Sequence, residues 1–577
     1  MNTSQPLEDK SDKLVIYQIF TRLFGNRNQT NKPWGSRDEN GVGKFNDITA
    51  KALQELKKFG ISHVWYTGVI EHATMTEYTA NGIRPDHPAV VKGRAGSPYA
   101  IKDYYDVNPD LAVQVDRRMR EFEDLVKRTH TNELKVIIDF VPNHVARQYA
   151  SDAQPEGTAD LGQGDDTSKA FDPKNNFYYL PGQDFQLPDG ISAPDWFAGK
   201  PYTESPARAT GNDVFQSKPD RNDWFETIKL NYGVNYLNNR QTHFQPVPAT
   251  WEKMRDILLF WAGKGVDGFR CDMAEMVPVE FWGWVIPQVK AAKPGIIFIA
   301  EIYNPQQYRN YIFNGKFDYL YDKVGLYDAV RRLMEGKGTT EDITRVWQQE
   351  SGDFANHMLR FLENHDEQRI ASRHFAGDPW AAIPAMTLSA TLHTGPVMIY
   401  FGQELGVNPT QAEGFQGEDG RTTIFDYWGV PEFQAWTNQG KFDGGGLNDD
   451  QKKLRQFYQS LNQLVNTSDA IRTGSFYDLQ YANNNGQSQG YDQHRLFSYL
   501  RHSGKQKLLI VCNFDKEKTA RTTVRIPAEA WKTMKLEPNR TYSFTDLFRT
   551  KTKLKAAAGA GVPIELPPRE VLVLEIR

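Results

Sequence analysis

Short apolar runs recur along the chain as far as residue 401. They fall at 14–20 (LVIYQIF), 63–66 (HVWY), 136–140 (VIIDF), 265–271 (GVDGFRC), 296–300 (IIFIA), 317–320 (FDYL), 357–362 (HMLRFL) and 397–401 (VMIYF). Most are apolar at successive positions rather than at alternate ones, the pattern of strands covered on both faces in a parallel sheet. Between them lie helical patterns, at 50–59 (AKALQELKKF), 117–128 (RRMREFEDLVKR) and 251–261 (WEKMRDILLFW). Eight strands with intervening helices predict an α/β fold, a (β/α)8 TIM barrel.

Two stretches break this rhythm. Residues 145–250 are rich in Asp, Asn, Gly, Pro and aromatics and have little helical periodicity. They are too long for an ordinary loop and predict a domain inserted after the third strand. After a helical pattern at 451–465, short strands are predicted at 495–500, 507–513, 522–526 and 571–576, with turn signals such as Asn484-Asn485-Gly486 between some of them. This predicts a C-terminal antiparallel β-sandwich. The expected division is a polar leader at 1–13, the barrel at 14–144 and 251–468, the insertion at 145–250 and the β-domain at 469–577.

Composition narrows the function classes. The 577 residues are 39% hydrophobic and 24% charged, with a formal net charge of -4 and no lysine/arginine run. Nucleic acid is not an expected partner, because a polyanion needs a concentrated basic surface. No apolar run approaches the ~20 residues that span a bilayer, so no transmembrane segment is expected. Residues 1–13 lack the apolar centre of a signal peptide, which leaves open a cytoplasmic protein or an exported one without its signal. The cysteines, Cys271 and Cys512, lie in separate apolar segments without metal-site spacing, which argues against a disulfide scaffold or structural zinc. The oligomeric state is left open.

In a barrel of this kind the chemistry collects at the C-terminal ends of the strands. There the third strand ends DFVPNH (139–144), the fourth GFRCDMAEM (268–276), the fifth AEIYN (300–304) and the seventh FLENHDEQR (361–369). No Ser/His nucleophile motif, HExxH or phosphate loop competes with them. A lone aspartate at a strand end is commonly a cap, and Asp139 is read that way. Arg270, Asp272, Glu301, His365 and Asp366 together are read as chemistry.

These four segments resemble, in kind, order and barrel position, the conserved regions of the α-amylase family of glycoside hydrolases (glycoside hydrolase family 13). PVMIYFGQELG (396–406) and SPYAIKDYYDVNPDL (97–111) are similar to the family's segments at strand eight and after strand two. The insertion and the tail match its domains B and C. The resemblance implies a retaining enzyme acting on α-1,4-glucosidic bonds of starch, maltodextrin or malto-oligosaccharides. Asp272 would be nucleophile, Glu301 acid/base, and Asp366 the carboxylate that grips sugar hydroxyls. Tyr99, His144, Arg270 and His365 would bind substrate. Arg270 lies two positions before Asp272 on one strand, hence on the same face, and would keep that carboxylate ionised, whereas burial and Asp272 would keep Glu301 protonated. The resemblance also implies structural calcium at Asn143, with Asp165, Asp166 and Asp172 as candidate co-ligands. Trp196, Trp224, Trp428 and Trp436 are candidates to line the cleft.

The match departs from the pattern in places. Glu275 and Met276 stand where many α-amylases carry Lys-His, which puts an acid where a base would help bind the leaving-group side. IKLNYG (228–233) stands where a Pro-Asp-Leu-type segment is expected. GRTTIFDYW (420–428) is similar to loops of oligosaccharide-acting members. A transglycosylase using the same carboxylates, and an inactive member serving as a binding subunit, are the competing readings; the second conflicts with retention of all three carboxylates.

Overall fold

The computed structural model describes residues 13–538 and 540–577; the rest of the polar leader, residues 1–12, lies outside the described residues. Eight parallel strands form the central sheet: β1 (Val15–Phe20), β2 (His63–Thr67), β3 (Lys135–Phe140), β4 (Gly268–Cys271), β5 (Ile297–Ala300), β6 (Tyr319–Tyr321), β7 (Met358–Leu359) and β8 (Val397–Tyr400). They are ordered β7-β6-β5-β4-β3-β2-β1-β8, and a parallel bridge between Arg360 and Val397 joins the two ends into a barrel.

The continuously apolar runs divide by parity. Ile16, Trp65, Ile137, Ile297, Ile299, Tyr319, Tyr321, Leu359, Phe361 and Met398 form a core inside the barrel. Their neighbours Tyr17, Val64, Tyr66, Val136, Ile138 and Phe298 belong to the outer core under the helices. Because strand side chains alternate in direction, a strand buried on both faces must be apolar at both parities. Gly268 stands in the inner layer, where a β-carbon would come within 2.7 Å of Ile297 Cγ1. Continuing the inward parity toward the C-terminal ends leads from Ile16 to Gln18, Ile137 to Asp139, Gly268 to Arg270 and Asp272, and Ile299 to Glu301. The apolar plug thus gives way to polar groups at one end of the barrel.

The helices pack outside. α1 (Ala50–Lys58) starts at Thr49, whose hydroxyl accepts from Ala52 N, and buries Ala52, Leu53 and Leu56. α2 (Arg118–Thr131), α3 (Ala249–Gly263) and α4 (Val279–Ala292) flank β3 and β4 in sequence. β4 is shorter than the apolar run predicted, and β7 keeps only two residues because its far edge meets β8 through a single bridge.

After β3 the chain leaves the barrel and returns at α3. The two ends of this excursion are sewn together: residues His144–Ala146 pair antiparallel with Thr227–Lys229, in the register His144 to Lys229. The C-terminal region forms a six-stranded antiparallel sheet and a two-stranded one around its own core, which includes Leu509, Val511, Val524, Ile564 and Leu574. Four of its strands were not predicted, among them Thr541–Asp546 and Val562–Leu566, where burial alternates and the apolar runs are broken.

Candidate active site

Arg270 organises the polar end of the barrel. Its side chain is fully buried, and its guanidinium lies 5.3–5.4 Å from the ring centres of Trp65, Tyr99 and Tyr321. Nη1 is 2.8 Å from Asp272 Oδ1, Nη2 is 2.8 Å from Glu301 Oε1, and Nε donates to Tyr321 Oη at 3.1 Å. One rigid fork therefore holds two carboxylates side by side. The sequence reading gave this charge to Asp272 alone. Sharing it changes the balance: burial, and then the charge of Glu301, push the Asp272 carboxyl well above its usual range despite Arg270.

Glu301 accepts two further hydrogen bonds that fix its plane. The Tyr303 hydroxyl donates to Oε1 at 2.7 Å, and the Met273 backbone N–H donates to Oε2 at 2.8 Å. Met273 follows Asp272 with φ 42, in the left-handed region that bulky residues rarely enter. That turn aims its N–H at Glu301, a case of backbone strain held at a site. Glu275 does not face the cavity as an acid. Its two oxygens accept from the backbone N–H groups of Tyr303 and Asn304, at 3.2 and 3.1 Å, and so tie down the loop that carries Tyr303.

A second cluster surrounds His365. The Gln18 amide donates to its Nδ1 at 2.9 Å, which puts the ring proton on Nε2, 2.6 Å from Tyr99 Oη and 3.0 Å from Asp366 Oδ2. Burial would raise the Asp366 carboxyl, but His365, Arg270 and Arg421 outweigh it and hold it at about 2. Asp139 is no cap. It points into the barrel, accepting from Trp65 Nε1 at 3.0 Å and Tyr99 Oη at 3.2 Å, with Arg270 at 3.6 Å.

His144 Nε2 lies 4.0 Å from Asp272 Oδ2; burial and the Lys229 ammonium lower its pKa to about 3, so the ring is a neutral hydrogen-bonding group. Asn143 sits beneath it. Its amide donates to Gly211 O at 2.7 Å, and its Oδ1 accepts from Lys229 Nζ, also at 2.7 Å. Lys229 is buried and forms an ion pair with Asp213 at 2.5 Å. These residues do not fit a calcium ion, because an ammonium faces the oxygen that would bind it. Asp165, Asp166 and Asp172 do not converge on Asn143: their carboxylates accept from loop donors, including Asn176 N, Ser168 Oγ and Lys169 Nζ respectively. Among the described residues no group of three or more His, Cys, Asp or Glu side chains is arranged to hold a metal.

Asp272, Glu301, Asp366, Tyr99 and His144 open onto one cavity of about 320 Å3, whose wall also includes Trp224, Tyr303 and Phe425. Arg270 and His365 lie just behind it. Of the tryptophans proposed for the cleft, Trp224 lines this cavity and Trp196 an adjoining groove, whereas Trp428 and Trp436 are buried in the barrel's outer core. Sequence reading missed Gln18, Tyr303 and Lys229. Gln18 left a trace, an amide inside the apolar run VIYQIF.

A TIM barrel with paired carboxylates under a sugar-sized cavity belongs to the class of enzymes that act on glycosidic bonds, by hydrolysis or by transfer. Residues 18–494 match the model of the α-amylase catalytic domain, and residues 488–577 that of the α-amylase C-terminal all-beta domain. The chain belongs to the α-amylase family. It is 22% identical to Alpha-amylase 3 of Dictyoglomus thermophilum over 78% of this chain and 76% of that protein. To a cyclomaltodextrinase of a Bacillus species it is 21% identical, over 87% and 73%. Among solved structures, a noncanonic maltogenic α-amylase of Thermotoga neapolitana aligns over 97% of this chain and 98% of that one, with a TM-score of 0.61 at 20% identity. No helix among the described residues is long and apolar enough to cross a membrane.

Proposed function

We propose that this protein is a retaining glycosidase that cleaves α-1,4-glucosidic bonds in starch, maltodextrin or malto-oligosaccharides through a covalent glycosyl-enzyme. The observation that carries this reading is the Arg270 fork, with Asp272 and Glu301 each 2.8 Å from it. One guanidinium shared by both carboxyls keeps them adjacent on neighbouring strands, an arrangement that supports attack on the sugar by one and proton transfer by the other.

The carboxyl pair enters the reaction with one proton. With that proton on Glu301, Asp272 is the anion. Asp272 attacks the anomeric carbon while Glu301 gives its proton to the departing glycosidic oxygen. Esterification cancels the charge on Asp272. Glu301, now ionised and held by Arg270, Tyr303 and Met273 N, takes a proton from water as the water attacks the intermediate. Asp366, ionised above about pH 2, supports the oxocarbenium-like transition state and accepts from sugar hydroxyls.

The test is timed product analysis on maltoheptaose, starch, pullulan and isomaltose, with Asp272→Asn as control. The parent should shorten maltoheptaose and starch, and the variant should lose nearly all turnover while staying folded. Turnover of Asp272→Asn within a few-fold of the parent would remove Asp272 as nucleophile. Accumulation of chains longer than the substrate would assign the protein to transfer instead.

A further inference from the structure

The turn after β4 and the loop after β5 are laced together. Glu301 N donates to Cys271 O, and Ala274 N donates to Glu301 O, both at 3.1 Å. Met273 N holds Glu301 Oε2 at 2.8 Å. These bonds hold Glu301 itself. Past the end of β5 the lacing passes to a side chain: the Glu275 carboxylate accepts from Tyr303 N at 3.2 Å and from Asn304 N at 3.1 Å.

Glu275 is braced for this task. It lies in the short helical turn Ala274–Met276, and its own carbonyl accepts from Tyr311 Oη at 3.1 Å, on the helix Pro305–Phe313. Asn304 caps that helix, its side chain accepting from Gln306 N at 3.0 Å. A carboxylate bonded to the N–H groups that lead into a helix start is favoured by charge-assisted hydrogen bonds and by the helix dipole. A lysine at position 275 could accept from neither N–H.

Tyr303 is therefore held at both ends, its backbone by Glu275 and its hydroxyl by Glu301 Oε1 at 2.7 Å. Glu275 itself is not part of the cavity wall. We infer that Glu275 is a positioning residue for the acid/base: by clamping the backbone at 303 and 304 it sets the Tyr303 hydroxyl against Glu301, and so aims that carboxyl at the departing glycosidic oxygen. The inference rests on the proposed function. Its consequence is selective. Attack by Asp272 draws nothing from this loop, whereas protonation of the leaving oxygen depends on where Glu301 points. A leaving group that departs as a stable anion bypasses the step.

The test compares Glu275→Ala, Glu275→Gln, Tyr303→Phe and the double variant Glu275→Ala with Tyr303→Phe, on maltoheptaose and on α-glucosyl fluoride. Glu275→Ala should lower kcat/KM for maltoheptaose about tenfold, the scale of the hydrogen bond it sets loose, and leave kcat/KM for the fluoride within about twofold. Glu275→Gln keeps an acceptor oxygen and should lose less. In the double variant Glu275→Ala should add little to the loss from Tyr303→Phe, because both act through one bond. No loss on maltoheptaose, equal losses on both substrates, or losses that multiply in the double variant would overturn the positioning role while leaving cleavage intact. A parent that cleaves neither substrate would overturn both readings.

Discussion

The ammonium of Lys229 donates to Asn143 Oδ1 at 2.7 Å, across the seam between the barrel and the segment inserted after β3. It is in register to do so because Lys229 pairs with His144 on the adjacent strand. The positive charge at this junction is thus covalently part of the chain, and its partner Asp213 lies on the inserted side.

Thermal unfolding should therefore be indifferent to chelators: Tm measured by calorimetry with and without EDTA should agree. Lys229→Met should be less stable by about 3 kcal/mol, the scale for leaving a buried pair half made, and added calcium should not restore it. A parent Tm that drops in EDTA would show that a metal, not the ammonium, closes the seam.

Glu301 helps keep Asp272 protonated at higher pH than an isolated aspartate. Glu301→Gln removes that charge. With an α-glucosyl fluoride, whose fluoride leaves without a proton donor, the acidic limb of kcat/KM for this variant should lie below the parent's. An unchanged or higher limb would contradict the coupling.

Tyr303→Phe deletes a hydrogen bond to Glu301 Oε1. Its loss should cost kcat/KM about tenfold, the worth of a hydrogen bond to a charged group. Activity within twofold of the parent would reduce Tyr303 to a packing role.

Glu413, on the loop after β8 that carries Phe415 and Phe425, is pushed up to about 8 by burial, although Thr423 N donates to it at 2.7 Å. A folded-state value above the unfolded one, about 4.3, means that its contribution is complete at low pH and is lost as pH rises through 8. Glu413→Gln has no charge to bury. Its Tm relative to the parent should therefore rise from about pH 5 to about pH 8 and level off above that, and a difference independent of pH would refute the buried-acid assignment.

The barrel strands were legible in the sequence because a strand covered on both faces has to be apolar at both parities, as in VIIDF and IIFIA. The ends of those strands were legible for the same reason: Arg270, Asp272 and Glu301 are polar groups where an apolar run stops, and the two-residue step from 270 to 272 already put a cation and an anion on one face. The C-terminal sheets were half visible, since strands such as Thr541–Asp546 bury only alternate residues.

What tertiary structure alone decided is which distant groups meet. Lys229 reads as an oddity in IKLNYG until strand pairing sets it beside Asn143. Gln18 selects the tautomer of His365 from the far end of the chain. Trp34 and Trp196 face one groove, while Trp428 and Trp436, no different in local sequence, are packed away in the outer core. Local sequence governs periodicity and turn chemistry because these act between near neighbours. The sharing of one guanidinium by two carboxylates, and the placing of an ammonium at a domain seam, depend on through-space distances that only the closed barrel determines.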